Sequence, residues 1–315
     1  MYRLQIAPRL RSLAVVVALS GSLGIALGVT GAVSAATKAG HFPVTVRLAN
    51  GVVTIPARPT RIISLSPTAT EDLFAVGAGH QVIAVDNDST YPRSAPVSAL
   101  SGYTPNIEAI AHYNPDLVVV SGNEGGVIAA LAKLHIPVAE EPATTTISGA
   151  YGEIASLGAL TGNSAAAQRL ISTMRARIAA VVAAVPVATR HLSYYVELDQ
   201  TYYSATSATF LGQIFSLFGL HNIADAASGA ATGYPQLSSE YIVAKNPRLI
   251  FLADTLCCGQ SVTTVRSRAG WSTMSAVAKG NVIGLNDDIA SRWGPRIVVL
   301  AQQIERALLH LSQQG

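Results

Sequence analysis

Charge is scarce in this sequence. Asp, Glu, Lys and Arg together make up 12% of its 315 residues, aromatics make up 6%, and there are two cysteines. With half of the residues hydrophobic, so little charge excludes a disordered chain. Acidic residues are missing altogether before Glu71. The formal net charge of +3 therefore comes from one end. Arg3, Arg9 and Arg11 are three of the 21 basic residues, and without the first 35 residues 18 basic groups balance 18 acidic ones. A strongly basic nucleic-acid binder is excluded. Only one apolar stretch approaches spanning length, which excludes a multi-span membrane protein. The chemical motifs are missing too. The seven histidines, His41, His80, His112, His135, His191, His221 and His310, show no metal-ligand spacing, and there is no HExxH, GxSxG or GxxxxGK[ST]. The glycine-rich Ser121–Gly126 lacks a lysine and carries Glu124, which would repel phosphate. Spacing identifies no acid–base pair, so no metal, cofactor or catalytic residue is expected.

The apolar stretch that is present runs from Leu13 to Ala36 behind the three arginines and ends in small residues. That is the pattern of an export signal, cleaved before Ala36 or retained as an uncleaved anchor. Either outcome places the remainder outside the cytoplasm. The two cysteines are neighbours, Cys257 and Cys258. Cα atoms across a trans peptide lie about 3.8 Å apart, below the usual disulfide range of about 4.4–6.8 Å. A vicinal disulfide, two free thiols and a bridge to another molecule all stay open.

Beyond the leader, residues 42–55 alternate apolar and polar around Asn50-Gly51, a hairpin signal. Arg61–Leu65 reads as a buried strand, and Ser66-Pro67 as the cap and first position of a helix. Glu71 and Asp72 are read as partners of that helix's dipole. Strands are expected at 81–85, 117–120, 136–138, 192–198, 249–253 and 282–285, alternating with helices, which indicates parallel βαβ units. A long alanine-rich helix is expected over 163–185 and a closing helix over 296–311. Residues 108–120 (EAIAHYNPDLVVV) and 240–252 (EYIVAKNPRLIFL) repeat one pattern: Glu, a short helix, Asn-Pro and a buried strand. The repeat predicts an α/β protein of two doubly wound lobes. Residues 1–35 form the signal or anchor, 36–162 the N-terminal lobe, 163–186 the bridging helix and 187–315 the C-terminal lobe.

Ligands of open α/β sheets bind beyond the carboxyl ends of the strands, so the cleft is expected between the lobes. The loops there place Asp88, Tyr91, Tyr103 and Asn123 on one side and Tyr202, Tyr203, Arg292 and Trp293 on the other. Aromatic rings supply flat apolar walls with polar tips, and Arg292 an anion partner. Cys257 and Cys258 fall in one of these loops, and Trp271 is read as core.

Several segments carry a resemblance. Arg61–Pro67 with Thr70-Glu71, Asn114–Val118, Tyr234–Ser238, and Gly294-Pro295-Arg296 with its closing helix resemble the solute-binding proteins of ABC importers for vitamin B12 and ferric siderophores. The similarity covers about residues 42–311. It implies two lobes bridged by one helix, a ferric siderophore or a corrinoid held between them, no catalytic step, and a monomer that docks on a membrane permease. In that family one glutamate on each lobe meets arginines of the permease, and those positions match Glu108 and Glu240. Aromatic positions of the B12 binders fall here at Asp88 and near Gly102 or Tyr103. The rival reading is an extracellular α/β enzyme using the same cleft.

Overall fold

The computed structural model describes residues 41–313; the export signal or anchor lies outside the described residues. A hairpin comes first, β1 (Val44–Leu48) and β2 (Gly51–Ile55), antiparallel across an Ala49–Asn50 turn. Gly51 takes φ +109°, a conformation that only glycine adopts freely. The Asn50 amide donates to the Val138 carbonyl at 2.8 Å and accepts from the Glu140 N–H at 3.2 Å. These bonds seat the turn on the edge of the first sheet.

That sheet is parallel, in the order β4-β3-β5-β6, built from β3 (Ile62–Leu65), β4 (Val82–Val85), β5 (Leu117–Val120) and β6 (Val138–Glu140). Strands β3 and β5 are buried throughout, which accounts for the unbroken apolar run of β5 and for the hydrogen bonds of Ser64, the one polar residue of β3, to the Ser66 carbonyl and the Thr70 hydroxyl. The helices between them are α1 (Pro67–Ala75), α2 (Ile107–His112) and α3 (Val127–Lys133), and α4 (Ile147–Leu160) follows the sheet. Strand β6 starts at Val138 rather than at the expected Ile136, because Pro137 has no N–H for the ladder.

Helix α5 (Ser164–Ala184) joins this half to a second parallel sheet, ordered β10-β9-β7-β8. Its strands are β7 (Ser193–Glu197), β8 (His221–Asn222), β9 (Leu249–Leu252) and β10 (Val282–Gly284). Two residues give β8 too little pattern to read from sequence. The helices are α6 (Phe210–Ser216), α7 (Ser239–Lys245), α8 (Val262–Arg266), α9 (Ser275–Ala278), α10 (Asp287–Ser291) and α11 (Ile297–Ser312). One apolar core is continuous from Ile62, Leu73 and Ile154 through Ile171, Met174 and Ile178 of α5 to Phe215 and Leu300. Smaller clusters around Ile110 and around Trp271 cover the outer faces of the two sheets. A core shared through the bridge favours small relative motions of the halves over a wide hinge. Among the described residues no helix is long and apolar enough to cross a membrane.

The sequence repeat is a structural repeat. Asn106 caps α2 by accepting from the Ala109 N–H, and Ser238 caps α7 by accepting from the Tyr241 N–H. Eight residues after each cap comes an asparagine in the left-handed region, Asn114 at φ 46° and Asn246 at φ 45°. Proline follows both, and then β5 or β9. Asparagine tolerates that conformation better than other side-chain-bearing residues, which explains Asn-Pro in both copies.

Candidate functional site

A cavity of about 280 Å³ opens where the segments following β6, β7, β9 and β10 meet the start of α6. Thr144, Leu198, Phe210, Tyr234, Asp287 and Trp293 contribute to its walls. A larger hollow of about 520 Å³ lies between α1, α5 and α11. Helices and the 91–94 turn line that hollow, whereas the smaller cavity sits beyond strand carboxyl ends, where ligands of open α/β sheets are held.

Of the residues expected in the cleft, Trp293 lines the cavity, and its indole N–H donates to Glu153 Oε2 at 2.5 Å. Arg292 does not face the cavity as a free anion partner. Its guanidinium is nearly buried and bonds Glu71 at 3.1 Å, Asp288 at 2.9 Å and the Asp88 carbonyl at 2.9 Å. Arg296 adds two bonds to Glu71, at 2.7 and 2.5 Å, and lies 4.4 Å over the Tyr91 ring. Tyr91 thus belongs to the larger hollow, and the exposed Asp88 contributes its backbone. Tyr103 is 78% exposed on the rim of the first half, and Tyr203 is 41% exposed on the second. The Asn123 side chain accepts from the Ile128 N–H and holds the loop before α3. Tyr202 is stacked on the fully buried Trp271 at 5.6 Å with Arg268 over both rings, so it supports the second half from behind the cleft.

Glu71 and Asp72 are not dipole partners. They are the fifth and sixth residues of α1, beyond its first turn, and both are buried. Glu71 pairs with the two arginines from the other half, and Asp288 adds a second carboxylate to Arg292. Asp72 lies with Glu153 and Glu141, and burial, reinforced by Glu153, Glu71 and Glu141, pushes its carboxyl well above the usual range. Burial raises Glu153 to about 8, with Glu141 adding to the shift and the Trp293 N–H opposing it. Burial raises Glu141 to about 7 against a Ser156 hydrogen bond. Between the ordinary glutamate value of 4.5 and about 8 the folded protein therefore holds more protons than the unfolded chain. Stability is full below this window and falls as pH rises through it. The melting temperature should drop by roughly 5 °C or more from pH 5.5 to pH 8.5, at about 2–4 °C per kcal/mol for a chain of this size. Glu153→Gln should flatten the slope; an unchanged slope would remove Glu153 from the effect.

Phe210, Tyr234, Glu153 and Asp287 had no signal of their own in the sequence as site residues; Tyr234 stood only within a family-like segment, and Asp287 only within the loop 286–293 expected at the cleft. The structure joins Cys257 to Cys258. Their loop is tied to Asp287, whose carboxylate accepts from the backbone N–H groups of Thr255, Leu256 and Cys257 at 2.8, 2.9 and 2.7 Å. Glu108 and Glu240 are both exposed second residues of their helices. The Glu240 carboxyl is held below its ordinary value by its own backbone N–H and the Ser238 hydroxyl. Among the described residues no group of three or more His, Cys, Asp or Glu side chains is arranged to hold a metal ion.

Two parallel sheets facing a shared cavity, with one helix between them, are the frame of a solute-binding protein. A sequence model described as "Periplasmic binding protein" matches residues 62–289. The chain belongs to this family. It is 34% identical over 274 residues to a cobalamin-binding protein of Halobacterium salinarum, covering 84% of this chain and 73% of that one. It is 27% identical over 277 residues to an ABC transporter substrate-binding lipoprotein of Bacillus subtilis, covering 85% and 86%. The structure superposes on the periplasmic vitamin B12 binding protein of Vibrio cholerae with a TM-score of 0.66 at 27% identity, over 81% of this chain and 98% of that one. The family is one of ABC-importer solute-binding proteins, which act outside the cytoplasm.

Proposed function

We propose that the protein captures a metal chelate outside the cytoplasm, with a corrinoid ahead of a ferric siderophore, and delivers it as a monomer to an ABC permease. The observation that carries the reading is the interlobe cavity at the strand ends, with Trp293 and Phe210 in its wall, in a chain 34% identical to a cobalamin binder. The cavity takes an edge of a flat macrocycle. The remainder lies on the exposed rings of Tyr103, Tyr203 and Tyr234, whose faces suit a conjugated ligand. Asp88, Tyr91, Asn123, Tyr202 and Arg292 shape the loops around it. No bond of the ligand is broken; recognition is contact and fit.

Glu108 and Glu240 are the docking points. Each opens a short helix that runs back antiparallel to the strand it feeds, so each lies toward the carboxyl edge of its sheet, where the cleft loops are. Two equivalent carboxylates on a pseudo-symmetric carrier match a permease of two similar halves. Whether the leader is cleaved or anchors the carrier is tested by the intact mass of the exported protein, with cleavage leaving Ala36 first.

Ligand titration of Trp293→Ala tests the site. Removing an aromatic wall together with its bond to Glu153 should weaken cyanocobalamin binding at least tenfold, the equivalent of about 1.4 kcal/mol. Unchanged affinity with the fold intact would remove Trp293 from the site.

A further inference from the structure

The loop after β9 carries more organisation than a cleft wall needs. Three consecutive backbone N–H groups, those of Thr255, Leu256 and Cys257, converge on the Asp287 carboxylate, and the Thr255 hydroxyl adds a bond at 3.0 Å. The loop closes on itself where the Gln260 N–H donates to the Asp254 carbonyl at 3.2 Å. The Gln260 side chain is in turn held by Arg268 at 2.7 Å, and Arg268 is paired with the buried Glu197. Cys257 and Cys258 are joined inside this turn, and Cys257 is exposed to solvent. Asp287 is also a wall of the cavity. One carboxylate thus reads the conformation of the disulfide loop on one side and faces the ligand space on the other.

We infer that the Cys257–Cys258 disulfide is a redox switch on ligand affinity, acting through Asp287. The inference rests on the reading of the cavity as the ligand site. With the disulfide closed, the small ring limits the backbone of 257–258 and holds the three N–H groups on the carboxylate, which offsets its charge by charge-assisted hydrogen bonds. Reduction by an external dithiol opens the ring. A thiolate of the dithiol attacks one cysteine sulfur, breaking the Cys257–Cys258 bond and forming a mixed disulfide. The second thiol of the dithiol then displaces that cysteine. Two electrons pass to the pair, two protons end on its sulfurs, and the dithiol leaves as a disulfide. The freed loop releases the N–H groups, and Asp287 presents an uncompensated negative charge to the cavity. A chelate bearing phosphate or carboxylate is then repelled. In this way a reducing encounter unloads the carrier, while an oxidising compartment keeps it loaded.

The test compares oxidised protein with protein reduced, alkylated and freed of reductant, so that the dithiol never meets the probe. Cyanocobalamin should bind the oxidised form about tenfold more tightly than the reduced form, a difference of about 1.4 kcal/mol. Cys257→Ser/Cys258→Ser should match the reduced form whatever the redox treatment, which separates loss of the bond from the bulk of the alkyl groups. In Asp287→Asn the oxidised-to-reduced ratio should fall to less than about twofold, because no charge is left to unmask. Equal affinities of the oxidised and reduced wild type would overturn the switch. A second readout needs no ligand. Amide exchange of residues 255–257 should be slow in the oxidised protein and fast in the reduced protein. Equal exchange in the two forms overturns the switch by itself. Absence of cyanocobalamin binding with a clear exchange difference would count instead against the ligand reading.

Discussion

Glu108→Ala combined with Glu240→Ala is expected to abolish uptake of the chelate by cells while leaving the purified protein's fold and ligand affinity nearly unchanged. Both carboxylates are exposed, and among the described residues neither is in an ion pair or in the cavity wall. Exposed charges contribute about 0–1 kcal/mol to folding, so their loss should be silent in a melting curve. At an interface the balance is different, because truncating one partner of a buried charge pair costs about 2–5 kcal/mol. Two such losses, one on each half, are enough to abolish docking at ordinary carrier concentrations. Normal transport by the double variant would reduce these residues to helix-dipole partners. Loss of ligand affinity would mean that the two helix starts face the ligand rather than the permease.

The second large effect is expected at Glu71. This one carboxylate holds Arg292 and Arg296, with side-chain exposures of 1%, 9% and 16% respectively. The two arginines come from the chain after β10 and the glutamate from α1 beside β3, so the cluster ties the halves of the molecule together. Removing one partner of a buried pair leaves an uncompensated charge, typically at about 3–5 kcal/mol. Glu71→Ala should therefore lower the melting temperature by roughly 6–20 °C, at about 2–4 °C per kcal/mol. Arg292 keeps Asp288 as a partner, so most of the loss should fall on Arg296. A variant that melts within about 1 °C of wild type, a shift below about 0.5 kcal/mol on the same scale, would show that the tie is not structural.

What the sequence made legible follows from how local each signal is. Ser66-Pro67 and the two Asn-Pro stops act within a few residues of themselves, and they predict α1, α2 and α7 where they occur. The long alanine-rich helix and the buried strands β3, β5 and β9 were legible because each is one uninterrupted pattern. The site was less so, because its chemistry is made by residues far apart in the chain. Arg292 reads as a free cation until Glu71, 221 residues away, is brought against it. Trp293 reads as a cleft aromatic and lines the cavity, but its partner Glu153 lies 140 residues earlier on a helix that shows no polar signature. Asp287 has no sequence signal beyond its place in the loop before Arg292, and only the folded chain places three N–H groups of another loop on it. Tyr202 and Tyr203 are neighbours in sequence, yet the left-handed backbone of Tyr202, φ 69°, turns one toward Trp271 and leaves the other exposed.

We propose that this chain holds a metal chelate between its two sheets and releases it chemically unaltered. An equilibrium titration of the oxidised wild-type protein with cyanocobalamin, run beside a ferric hydroxamate, tests it most directly. Saturable one-to-one quenching of tryptophan fluorescence is expected from at least one of the two, with cyanocobalamin the tighter, and the chelate should be recovered with its absorbance spectrum unchanged. No saturable binding of either chelate, or recovery of a chemically altered one, would contradict it.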